Sequence, residues 1–190
     1  MSILIGALIA AAAAYILLRA LRCGGGREDG MHSSRIGHGL RRLRDNKQKY
    51  AVMTEALLSE TGDEALLEAV LSGLWAKMKN DLSDAPEVMA QETRGRRFIY
   101  AIYAVTGGMG QEGLARLKAG ADAVFLPLCA EALEAIGAMG SAAILREALG
   151  AEGGADDWDA PYLESFEAEK GKEKMVAFIR ANAGEFVDRV

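Results

Sequence analysis

The residues able to do chemistry are few, and they are scattered along the chain. His32 and His38 are the only histidines. They stand six residues apart in a Gly/Ser-rich stretch with no cysteine or acidic cluster beside them, a poor spacing for a zinc pair. Both precede the folded body as the sequence reads, which excludes a Ser-His or Cys-His couple inside it. Cys129 sits on an apolar helical face and reads as a small core residue rather than a nucleophile. Asp156, Asp157 and Asp159 lack the loop glycine and terminal glutamate of a calcium loop, so they read as a solvated acidic segment. Gly108-Met109-Gly110 lacks the lysine and the preceding strand of a phosphate loop. Arg94, Arg96 and Arg97 form a basic group that could hold an anion, but carboxylates abound and surface ion pairs are the better reading. No catalytic residue, metal ligand or cofactor site emerges, and the sequence leans away from an enzyme.

The elements that must position these residues are helical. The composition is rich in alanine and poor in aromatics and proline, which favours closely packed helices over a sheet. The centre is the run from Arg97 to Gly150. Phe98, Ile99, Ile102 and Val105, with Tyr100 and Tyr103 between them, leave no polar side, so this helix is expected to be buried on most faces. Gly107-Gly108 is expected to stop it. A short helix over Gln111–Lys118 follows, and then a helical hairpin bent at Gly137-Ala138-Met139-Gly140. The first of its helices buries Phe125, Cys129, Leu133 and Ile136, and the second is capped by Ser141. Upstream, Thr61-Gly62-Asp63-Glu64 reads as a capping box, and Pro86 suits the first turn of a short helix. Downstream, Asp159 reads as a helix cap with Pro161 in the first turn, and Met175, Phe178 and Ile179 mark the last helix. No segment reads as a strand.

The N-terminus is a different material. Ile3 to Leu18 is apolar and uncharged, and with Met1 and Ser2 it gives about 27 Å of helix, at the short end of what spans a bilayer. The competing readings are a cleaved signal peptide and a true start at Met31 or Met53. No basic residue precedes the run and no small-x-small site follows it cleanly. The expected organisation is a transmembrane anchor over 1–22, a basic flexible linker over 23–46, and an all-α, compact multi-helix domain over 47–190. Arginines follow the apolar run and none precedes it, so the positive-inside rule places the N-terminus outside and the domain in the cytoplasm, single-pass in the inner membrane. Arg41-Arg42-Leu43-Arg44 reads as a solvated stop-transfer flank, with contact to anionic headgroups as the alternative.

Charge separates the two parts. Residues 1–50 hold nine Lys/Arg against three Asp/Glu, whereas the rest hold 13 against 24. An acidic body argues against direct nucleic-acid binding, which needs a positive footprint. The most acidic stretch carries Glu152, Asp156, Asp157, Asp159, Glu164, Glu167 and Glu169, with no Lys or Arg before Lys170.

The order of motifs from residue 50 onward resembles a family of small helical bacterial domains named for the C-terminal domain of a DNA-mimic protein. The matching pieces are Thr106-Gly107-Gly108-Met109-Gly110-Gln111, Ala132-Leu133-Glu134-Ala135-Ile136-Gly137-Ala138 and Ile144-Leu145-Arg146-Glu147-Ala148. Tyr162-Leu163-Glu164-Ser165-Phe166 and Phe178-Ile179-Arg180-Ala181-Asn182 complete them. The turn departs from the family, with Thr106 in place of Asn and Met109 in place of Phe. The resemblance implies an all-α fold, no established enzyme activity and an acidic protein-binding module.

Three functions follow as expectations. The first is a membrane-tethered cytoplasmic module whose acidic face docks on a basic partner protein. The second is a ligand site or enzyme at the family-motif turn, using Thr106, Gly107, Gly108, Met109 and Gln111, with Arg96 or Arg97. The third is an immunity-type or envelope-associated domain that carries no particular chemistry.

Overall fold

A computed structural model of the chain describes residues 32–151 and 157–189. Among them the secondary structure is entirely helical. Ten α-helices follow in order: α1 (His32–Lys49), α2 (Glu55–Glu60), α3 (Asp63–Lys77), α4 (Ala85–Gln91) and α5 (Arg94–Gln111), then α6 (Leu114–Ala119), α7 (Leu126–Ala135), α8 (Met139–Gly150), α9 (Asp159–Ala168) and α10 (Gly171–Ala181). Short 3-10 segments cover Ala121–Phe125 and Ala183–Glu185. No helix among the described residues is long and apolar enough to cross a membrane. The expected anchor over 1–22 lies outside the described residues, as do Glu152 and Asp156.

Helix α5 is the hub. It packs against α3, α4, α6, α7 and α9 and against both 3-10 segments. Ile99, Ala101, Ile102 and Val105 are completely buried, each large aliphatic contributing about 1.5–3 kcal/mol through removal from water. The tyrosines between them find aromatic partners. Tyr100 meets Phe125 edge-on at 5.1 Å, and Tyr103 meets Trp75 at 5.5 Å. The hairpin of α7 and α8 packs on α5, and α9 closes over α8 and α5. Its bend is a left-handed glycine turn. Gly137 takes φ +80°, its N–H donates to Glu134 O, and the N–H of Ala138 donates to Leu133 O. That pairing satisfies the last carbonyls of α7.

Several local expectations are corrected. The central helix does not stop at Gly107-Gly108 but runs to Gln111. Gly108 is a helix-interior glycine because the side chain of Leu117 occupies the space where a Cβ would stand. The reversal comes instead at Gly113, with φ +77°. Thr61 does not open α3. It closes α2, and its hydroxyl donates to Leu57 O at 2.7 Å, while Gly62 stands at the start of α3 without a side-chain cap. The cap of α2 is Thr54. Ser141 lies inside α8, which starts at Met139. Asp159 does not cap its own helix.

The linker reading fails over residues 32–46, which are helical and belong to α1. His32 and His38 therefore stand in a helix rather than a loop. Helix α1 packs on α3, and Glu68 fastens it by accepting from Arg42 Nη2 at 2.7 Å and Asn46 Nδ2 at 2.9 Å.

Candidate functional site

The described acids of this stretch divide into two sets, one bonded to helix starts and one exposed. Glu169 is spent on the start of α8. Its Oε1 accepts from the Gly140 N–H at 3.0 Å, and its Oε2 accepts from the Ser141 N–H at 2.9 Å and the Ser141 hydroxyl at 2.7 Å. The first N–H groups of a helix have no partner within it, and here a carboxylate from another helix supplies one. Burial pushes the Glu169 carboxyl up, but these donors outweigh it and hold the group below the ordinary carboxylate range. Asp159 is spent the same way on α6, where its Oδ1 accepts from the Leu114 N–H at 2.8 Å. Its Oδ2 lies 2.7 Å from where a Cβ on Gly113 would stand.

Asp157, Glu164 and Glu167 remain on the outside. All three are exposed. Glu164 and Glu167 are one turn apart on the outward side of α9, opposite the buried rings of Tyr162 and Phe166, and Asp157 lies in the non-helical segment before it. Asp157 accepts weakly from the Asp159 N–H at 3.3 Å, and Glu167 lies in the field of Lys172.

The family-motif turn is packed against the core. Thr106 Oγ1 is 2.9 Å from the Tyr162 hydroxyl, Met109 is buried, and Leu117 covers Gly108. Gly107 and Gln111 are half-buried. Cys129 completes a buried polar chain, its Sγ 3.8 Å from the Tyr162 hydroxyl. Burial pushes the Cys129 thiol up to about 12, and burial also raises Tyr162 well above its ordinary value. These groups stay protonated, so the thiol is inert.

The arginine group is likewise divided. Arg94 reaches Glu131 at 2.7 Å in solvent. Arg96 is buried and belongs to a ring of four charges. Its Nη1 donates to Glu92 Oε2 at 2.8 Å and to Asp188 Oδ1 at 2.6 Å, and its Nη2 donates to the carbonyl of Phe186 at 2.7 Å. Lys77 closes the ring on Glu92 at 2.8 Å and Asp188 at 2.9 Å. Asp188 also pairs with Met53, accepting from its N–H at 2.7 Å and donating its own N–H to its carbonyl at 2.8 Å. Burial opposes ionisation of both acids, but their basic partners win and hold Asp188 and Glu92 below their ordinary values. The Arg96 guanidinium is raised despite its burial, by the same two acids. The cavity beside this ring is about 10 Å³, lined by Tyr50, Gly73, Arg96 and Phe186 among others, room for one water at most. A shallow groove of about 250 Å³ lies between Glu55, Val187 and Arg189. Neither touches residues 106–111.

Sequence reasoning missed this ring. Its one local signal is the i, i+4 spacing of Glu92 and Arg96. Lys77 and Asp188 are brought in by tertiary structure alone. Arg180 was also missed: it donates to Leu58 O at 2.7 Å, to Thr61 O and to Asp63 Oδ1 at 2.8 Å, and so holds the end of α2. Among the described residues no group of three His, Cys, Asp or Glu side chains is placed to hold a metal ion.

Residues 90–182 match the family model described as DMP19-like protein. This stretch is a DMP19-like domain. No curated protein and no solved structure matches the chain. The DMP19-like domain runs from the end of α4 to just past α10, so it contains the hub helix, the hairpin and the outward face of α9. It holds Glu92 and Arg96 of the charge ring, while Lys77 and Asp188 lie outside it. The ring therefore ties the segments on both sides of the domain to its first helices.

Proposed function

We propose that the chain is a protein-interaction module of the DNA-mimic type, which presents the outward face of α9 to a basic partner protein. The observation that carries this reading is the division of the acidic stretch. Asp159 and Glu169 are engaged by helix starts, whereas Glu164 and Glu167 are left exposed on one side of α9 and Asp157 is exposed in the segment before it. Glu164 and Glu167 are about 4.5 Å apart along the helix axis, against about 3.4 Å per phosphate along one strand of a duplex. A basic surface shaped for a phosphate backbone meets charges of the same sign at a similar interval. Such a contact is steered by the field and weakens with salt. No cofactor enters this reading, and the acidic face repels nucleic acid.

The same proposal tethers the module to the inner membrane through residues 1–22, N-terminus outside and domain in the cytoplasm. It rests on the apolar run Ile3–Leu18 and the arginines that follow it.

The test is a crosslinking pull-down from native membranes with the full chain at low and high salt. It compares the wild type with Asp157→Lys/Glu164→Lys/Glu167→Lys. Asp159 and Glu169 are left intact because they hold the fold. A basic protein captured by the wild type at low salt, released by salt and lost in the variant supports the reading; capture indifferent to both overturns it.

A further inference from the structure

We infer that the outward face of α1 docks on an anionic lipid bilayer. This deepens the membrane half of the proposed function but rests on a separate observation. In α1, Leu43, Asn46 and Lys47 are half-buried on the side that packs on α3, and Tyr50 just beyond the helix is buried, whereas Arg41, Arg42, Arg44, Asp45, Gln48 and Lys49 are exposed. Positions 41, 44, 45 and 48 follow one another at helical spacing and form a single stripe. Arg41 and Arg44 stand against Asp45 on this stripe, and Lys49, exposed beside it, lies with its Nζ 4.8 Å from the ring of Tyr50. Arg42, bound to Glu68 at 2.7 Å, fixes the rotation of the helix so that the stripe points away from the body.

The rest of the molecule gives the stripe its occupant. Residues 51–190 carry an excess of acids, which an anionic leaflet repels. Helix α1, with six Lys/Arg against Asp45, is the most basic of the described helices, so it sets the orientation at such a surface. Residues 19–31 separate it from the apolar run and reach at most about 45 Å when extended, which keeps α1 near any bilayer that run enters. Helix α9 packs on α5, α8 and α10, and α1 packs on α3, so lipid contact through α1 leaves the acidic face for a protein.

The test places an environment-sensitive fluorophore on the full chain through Gln48→Cys, with Cys23→Ser; Cys129 is buried and unlabelled. The protein is mixed with vesicles of phosphatidylcholine alone or with added phosphatidylglycerol. The expected result is a blue-shifted, stronger emission with the anionic vesicles only, reversed by high salt. Arg41→Gln/Arg44→Gln removes it, since each basic side chain near an anionic surface contributes about fivefold and two contribute about 25-fold. Equal emission with both vesicle types overturns the inference, as does an unchanged response in the variant. A salt-sensitive dimer without lipid, lost in the same variant, overturns it in favour of a second copy's acidic face. Flotation with neutral vesicles reports the anchor separately: its absence sinks the tether and leaves the anionic comparison to decide on α1.

Discussion

Glu169 accepts three hydrogen bonds at the start of α8, two of them from Ser141, whose N–H and hydroxyl both reach its Oε2. The helix that carries the outward carboxylates is thereby bound to the hairpin by a carboxylate of the same acidic stretch. Position along the chain does not separate the acids that build the fold from those that face solvent; their hydrogen bonds do.

This division gives opposite expectations for neighbouring substitutions. Glu169→Ala removes a helix cap and costs about 1–2 kcal/mol, whereas Glu164→Lys and Glu167→Lys change stability by less than about 0.5 kcal/mol, as exposed sites do. Urea unfolding followed by circular dichroism at neutral pH checks both. Equal effects at the three positions would show that Glu169 is a surface acid like the others.

The charge ring makes Arg96 a large contributor. Arg96→Ala leaves Glu92 and Asp188 partly buried beside a lone lysine and strips the Phe186 carbonyl of its donor. Removing one partner from a buried ion pair costs roughly 3–5 kcal/mol. The same urea titration measures it, and a loss below about 1 kcal/mol would place the ring with weak surface pairs.

Acid acts on the same groups. Glu92, Glu169 and Asp188 all have folded pKa values below their unfolded ones. Their contribution is complete above the unfolded carboxylate range near about pH 4 and is lost as the pH falls through the folded values. Stability is therefore expected to hold from neutral pH down to about pH 5 and to drop below about pH 4. Glu92→Gln/Asp188→Asn lowers stability at pH 7 and flattens that acid drop. A variant with the wild-type acid profile would contradict the assignment.

Gly107 and Gly108 differ although they are adjacent. Gly107 has open space around it in the helix, whereas Leu117 stands over Gly108. Gly107→Ala is expected to stabilise by about 0.5–1 kcal/mol through helix propensity, and Gly108→Ala to destabilise through overpacking by about 1–3 kcal/mol. Thermal melts of the two variants decide this. Destabilisation by both would restore the reading of these glycines as a helix stop.

The parts legible in the sequence are those set by local pattern. The apolar run of α5 is buried on most faces, Pro86 sits in the first turn of α4, and Gly137 makes the hairpin bend. The misread parts are mostly those where a local signal was satisfied from afar. Ser141 and Asp159 each carry an oxygen suited to a cap, but their partners are set by packing, Glu169 and Leu114; Thr61 instead finds a local partner, Leu57, four residues back in the helix it closes. A glycine in a helix interior looks the same in sequence as a glycine that ends one, so Leu117 could not be seen to require Gly108. The linker reading of residues 23–46 failed from residue 32 onward for a related reason. A basic polar helix shows little apolar periodicity, and Glu68, which anchors it, is 26 residues away from Arg42.

The most direct measurement on the central claim is the low- and high-salt crosslinking capture with the wild type and Asp157→Lys/Glu164→Lys/Glu167→Lys, each shown to be folded by circular dichroism. The expected result is a basic protein bound by the wild type at low salt, released at high salt and absent with the variant. A partner held equally by both, whatever the salt, would contradict it.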